Sequence, residues 1–100
     1  MFTKEKLQNK NSSNVWVTFS MPAIEGCSCL YLVGKFDDWN ESVYRMERMS
    51  DGSWSLVLEL EPGCDYHYCY RTDNGVWHID PVADSYVPTS DGLERSIVRL

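Results

Sequence analysis

The sequence predicts an all-β fold, an antiparallel β-sandwich. Short runs alternate between apolar and polar residues, turn signals recur about every 8–12 residues, and no stretch carries a helical period. At 100 residues, with 43% hydrophobic and 13% aromatic residues, the chain is the size of one domain and holds enough apolar material for one core.

The elements follow in chain order. Residues 1–14 are dominated by Lys, Asn, Gln and Ser and read as a flexible polar leader, which places the folded domain over residues 15–100. Val15, Val17 and Phe19 then alternate with Trp16, Thr18 and Ser20, the period of a strand with one buried face, and Met21-Pro22 ends it. Leu30-Tyr31-Leu32-Val33 is a β-prone run closed by Gly34, and the polar segment around Phe36 and Trp39 reads as a loop. After the Ser50-Asp51-Gly52 turn, Trp54, Leu56, Leu58 and Leu60 share one parity, the clearest strand in the chain. Glu61-Pro62-Gly63 ends that strand. Tyr66, Tyr68 and Tyr70 then alternate with His67, Cys69 and Arg71 up to the turn at Asp73-Asn74-Gly75. Asp80-Pro81, Val87-Pro88 and Asp91-Gly92 rule out a long helix in the stretch that follows, and Ser96 to Leu100 supplies a closing strand.

Charge and composition exclude several functions. A formal net charge of -6 lacks the basic patch that nucleic acid demands, and no run approaches the roughly 18 apolar residues of a membrane span. Residues 1–14 hold no apolar core of a secretory signal, so a cytoplasmic location is expected. Cys27, Cys29, Cys64 and Cys69 are accordingly expected as free thiols, and their spacing does not match paired zinc ligands, so neither metal nor cofactor is expected. Catalysis is not expected either. Asp37 and Asp38 are neighbours in one loop, and no second carboxylate is patterned to flank a glycosidic bond.

Three segments carry a resemblance when read together: Leu32-Val33-Gly34-Lys35-Phe36-Asp37-Asp38-Trp39-Asn40; Asp51-Gly52-Ser53-Trp54 with Glu61-Pro62-Gly63; and Gly75-Val76-Trp77-His78-Ile79-Asp80-Pro81. In order and spacing they resemble carbohydrate-binding module family 48, the early-set domain beside isoamylases and branching enzymes and in the β-subunit of AMP-activated protein kinase. The resemblance implies an immunoglobulin-like sandwich, in agreement with the strand reading. It also implies a non-catalytic module for α-glucan such as glycogen, starch or maltooligosaccharide, with a glucan-active enzyme as a further partner. Trp39 and Trp77 occupy the positions of the family's two sugar platforms. Indole suits that role, because a pyranose ring has apolar C–H faces and a hydroxyl rim, and an indole is a flat apolar surface with one N–H donor.

The resemblance is not complete. Cys69 stands where kinase-type members carry a sugar-supporting lysine, and Arg95 where they carry an asparagine; Asp91 or Leu93 falls where they carry an apolar residue against the sugar. Arg95 retains donors for hydroxyls. Asn40 and His78, beside the two tryptophans, are further candidate polar contacts, as are His67, Arg71 and Lys35. Trp54 and the tyrosine stripe are expected in the core, while Trp16 is expected on the opposite face of its strand from Val15, Val17 and Phe19. Two other readings remain open at this stage: an interaction or self-association module whose glucan site has decayed, and a detached accessory domain of a glycoside hydrolase or kinase complex.

Overall fold

The computed structural model describes residues 2–6, 14–35, 44–89 and 94–100. Among them ten strands form: β1 (Phe2–Lys6), β2 (Val15–Met21), β3 (Leu30–Gly34), β4 (Tyr44–Arg45), β5 (Glu47–Arg48), β6 (Trp54–Leu60), β7 (Asp65–Thr72), β8 (Trp77–His78), β9 (Ser85–Pro88) and β10 (Glu94–Arg99). The first sheet runs β1-β2-β6-β5. The second runs β4-β3-β7-β10-β9, with β8 also paired to β7. Every pairing is antiparallel, and the two sheets enclose the core as an immunoglobulin-like β-sandwich.

Period-2 alternation decides what is inside. Val15, Val17, Phe19 and Met21 point inward from β2, and Trp54 and Leu60 do so from β6, with Leu56 and Leu58 half-buried between them. From the second sheet Leu30, Leu32, Tyr68, Tyr70 and Val98 meet them, and Phe19 packs edge-on against Tyr68 at 5.0 Å between ring centroids. Each fully buried side chain of the size of Leu32 or Phe19 contributes about 1.5–3 kcal/mol relative to exposure. The chain crosses from β6 in the first sheet to β7 in the second through Gly63, whose φ of +81° is open to glycine and strained for other residues.

One expectation fails here. The first part of the segment read as a frayed leader is strand β1, so the first sheet begins at Phe2 and not at Val15. An edge strand needs only one face to be satisfied. The β2 backbone supplies the ladder, and Phe2 packs edge-on against Phe19 and Tyr68 at 6.1 and 6.3 Å. The Lys4 ammonium reaches the second sheet, donating to Asp84 Oδ2 at 2.6 Å and to the Arg99 carbonyl at 2.7 Å. Alternation over so short a polar stretch carries too little apolar signal to be read in advance. Strands β4, β5, β8 and β9, at two to four residues each, escape for the same reason.

Candidate functional site

Strand β7 separates the core from the outer face of the second sheet. Tyr68 and Tyr70 point inward and are fully buried; His67, Cys69 and Arg71 alternate outward. The chain leaves β7 by a turn and returns at once as β8, with Tyr70 opposite His78 and Arg71 opposite Trp77.

That turn is held from several sides. The Thr72 hydroxyl contacts Asn74 Oδ1 and accepts the Val76 N–H at 2.9 Å, while Thr72 N–H donates to the Val76 carbonyl at 2.9 Å. Gly75 adopts φ +85°, the left-handed backbone that closes the turn. Asp73 ties the turn to the start of β3 by accepting the Ser28 and Cys29 N–H groups at 3.2 and 3.3 Å. The Cys29 N–H foremost, with that of Ser28, holds the Asp73 carboxyl below its ordinary range.

Beyond β8 the chain is anchored by a buried carboxylate. Asp80 is fully buried; its Oδ2 accepts the hydroxyls of Tyr68 at 2.7 Å and Tyr70 at 3.2 Å, and its Oδ1 accepts the Val82 N–H at 2.9 Å. Its backbone is bound as well. Asp80 N–H donates to Ser96 Oγ at 2.7 Å, and Tyr86 donates its hydroxyl to the Asp80 carbonyl at 2.6 Å. Burial, together with the neighbouring acidic groups, pushes both phenols far above their usual range, so they remain protonated donors. The knot fixes the chain three residues after Trp77. Sequence reading missed it, because an Asp before a Pro reads as turn chemistry and only the packed tyrosines distinguish it.

The expected site residues divide as follows. Trp77 is 41% exposed on the outer face, with the Arg71 guanidinium 6.0 Å from its ring centroid. Arg95 also faces outward, because Ser96 and Val98 on the same strand point inward, and its backbone lies opposite Val87. Cys69 shares this face but is buried, directly across from the buried Val33, so its thiol offers no surface donor in place of the lysine. His78 faces away from Trp77, because adjacent strand residues point to opposite faces, and it lines a groove of about 200 Å³ with Glu25, Cys27 and Asn74. Trp39, Asn40, Asp91 and Leu93 lie outside the described residues. All four cysteines are free.

The outer face thus combines an accessible indole with the Arg71 guanidinium beside it and Arg95 on the same face, groups whose chemistry is suited to an apolar ring face with a hydroxyl rim. The profile of carbohydrate-binding module 48 (isoamylase N-terminal domain) matches residues 25–86. The chain is 43% identical over 84 residues to protein FLOURY ENDOSPERM 6, chloroplastic, of rice, which covers 84% of this chain and 14% of the rice protein. It is 38% identical over 58 residues to the 1,4-alpha-glucan branching enzyme GlgB of Bacillus cytotoxicus, covering 54% of this chain and 9% of that enzyme. The chain therefore spans only a small part of either relative. The expectation of a cytoplasmic protein is overturned by the first of them, a chloroplastic protein. Through the profile match over residues 25–86, the chain belongs to carbohydrate-binding module family 48, the isoamylase N-terminal domain family.

Proposed function

We propose that the chain is a non-catalytic α-glucan-binding module whose ligand lies on the outer face of the second sheet, stacked on Trp77. The observation that carries this reading is the exposed Trp77 indole, held by a glycine turn on one side and the Asp80 knot on the other, with Arg71 against its ring. A sugar platform has to stay flat and open without a ligand, and those two restraints hold this one in place before binding. Arg95 adds donors on the same face. Hydrogen bonds at so open a site contribute about 1 kcal/mol each, so affinity is modest and favours chains of linked glucose over single sugars. The similarity to a 1,4-alpha-glucan branching enzyme supports glycogen, starch or maltooligosaccharide as the ligand, and a glucan-active enzyme as the protein the module serves.

The test is a tryptophan-fluorescence and amide-shift titration with maltoheptaose or β-cyclodextrin, on the native protein and on folded Trp77→Ala and Trp39→Ala variants. Saturable shifts lost in Trp77→Ala support the reading. A native protein indifferent to millimolar glucan sinks it.

A second reading, a protein-interaction module, has one observation in its favour. Trp16 and Val57 are 47% and 52% exposed on the outer face of the first sheet, where Thr18 lies opposite Val57. Concentration-dependent self-association abolished by Trp16→Ala, without any glucan response, is the result that would favour it.

A further inference from the structure

The register of the second sheet brings four side chains into one line across its outer face. Tyr31 of β3 pairs with Arg45 of β4 on one side and with Arg71 of β7 on the other, and Arg71 pairs in turn with Trp77 of β8. Directly paired residues of an antiparallel sheet project from the same face, so Arg45, Tyr31, Arg71 and Trp77 form one row at right angles to the strands. Neighbouring strands are about 4.8 Å apart, which sets Tyr31 about 10 Å from Trp77 with Arg71 midway. A single pyranose ring does not bridge that distance; a short run of linked rings does.

The chemistry of the row alternates. Trp77 is open, Tyr31 and Arg71 are half-buried, and Arg45 is exposed. The Tyr31 hydroxyl has no hydrogen-bond partner among the described residues, although the ring lies on a face whose next row, Val33 and Cys69, is buried. Arg71 is held at the Trp77 end. Its guanidinium lies 6.0 Å from the indole centroid, and a Cβ on Gly75 would stand 3.6 Å from its Nη2. An apolar ring surface, a fixed cationic donor, a second ring surface and a second cation repeat along one line, as a polymer with alternating C–H faces and hydroxyl rims requires.

We propose that Tyr31 is a second stacking surface for the glucan and Arg71 the donor between the two platforms, so that the ligand crosses the strands along this row. The proposal rests on the glucan-binding reading above and adds direction and length to it. Recognition then depends on chain length: an oligosaccharide that spans Trp77 and Tyr31 engages both rings, and maltose engages only one.

The test compares maltose and maltoheptaose on the native protein and on Tyr31→Ala, Tyr31→Phe and Arg71→Met, each checked for folding, with the Tyr31 ring protons followed by NMR in the native protein. The expected results are an affinity for maltoheptaose lowered on the order of tenfold in Tyr31→Ala and several-fold in Arg71→Met. Maltose binding should change little in Tyr31→Ala, maltoheptaose binding should be retained in Tyr31→Phe, and Tyr31 ring resonances should shift on saturation with maltoheptaose. Tyr31 resonances that stay in place while Trp77 responds overturn the row and leave glucan binding intact, as does native affinity in both Tyr31→Ala and Arg71→Met. A native protein that binds neither sugar overturns the row and the glucan reading together, so the two failures are distinct.

Discussion

Trp16 and Trp77 are exposed to nearly the same degree, 47% and 41%, one on the outer face of each sheet, and their surroundings differ in every other respect. Trp16 sits in the seven-residue strand β2, with the backbones of Glu5 and Glu59 paired on either side. Across the same strands Thr18 faces Val57 and Ser20 faces Ser55. Among the described residues, both register partners of Trp16 are glutamates. Trp77 sits in a two-residue strand, directly across from Arg71, which in turn pairs with Tyr31. Under the proposed glucan-binding reading, what sets Trp77 apart is therefore not its exposure but the donor beside it and the means of holding it. Trp16 is held by its ladder, whereas Trp77 depends on the Gly75 turn before it and the Asp80 knot after it.

The contrast is broken most severely by removing the knot. Asp80→Ala leaves two buried phenols without their acceptor and should cost roughly 3 kcal/mol or more of stability in chemical denaturation, since each orphaned buried group costs about 1–3 kcal/mol. Asp80→Asn, which keeps an acceptor, should lose less. If Asp80→Ala unfolds with the native midpoint, Trp77 is positioned by its turn alone.

Next in size, Trp77→Ala should lower maltoheptaose affinity at least tenfold, about 1.4 kcal/mol, by calorimetric or fluorescence titration. Gly75→Ala should cost about 1 kcal/mol of stability, because alanine is strained at φ +85° while its added Cβ meets Arg71 Nη2 only at ordinary contact distance.

The clasp between sheets makes a smaller contribution with a defined pH dependence. Burial by itself would raise the Asp84 carboxyl, but the Lys4 ammonium and the Arg99 N–H outweigh it and hold the group below its ordinary value. A depressed folded value means that Asp84 stabilises the fold fully above the ordinary carboxylate range near pH ~4 and loses that contribution as the pH falls through its folded value. Lys4→Ala should cost about 0.5–1 kcal/mol near neutral pH, with the difference from the native protein vanishing in acid. Smallest of all, Trp16→Ala should change stability by no more than about 0.5 kcal/mol and leave glucan affinity unchanged. A loss of affinity there comparable to that of Trp77→Ala would erase the distinction between the two faces.

Much of the architecture is legible from local pattern. The alternation in β2, β6 and β7 separates Val17, Trp54 and Tyr68 from Trp16, Val57 and Arg71 without knowledge of any partner strand. A strand imposes its period of two on its own residues, so burial on one side is written in the sequence itself. The turns at Gly63 and Gly75 are legible for a similar reason, since a positive φ selects glycine. The family itself is legible through resemblance, and its profile matches residues 25–86.

The rest depended on contacts between residues far apart in the chain. Phe2 and Lys4 look like leader residues until Phe19, Tyr68 and Asp84 are beside them. Asp80 looks like a turn residue until two tyrosines aim their hydroxyls at it. His78 follows Trp77 in sequence yet faces the other way, because β8 pairs with β7. Tyr31, 46 positions before Trp77, enters the same row only through the register of β3 on β7 and of β7 on β8. Sequence alone determined the longer strands β2, β3, β6, β7 and β10, the turns between them and the core face of each, because those preferences act within a few residues of chain; tertiary structure decided the short and edge strands and which exposed residues stand together, because sheet pairing and register are properties of pairs.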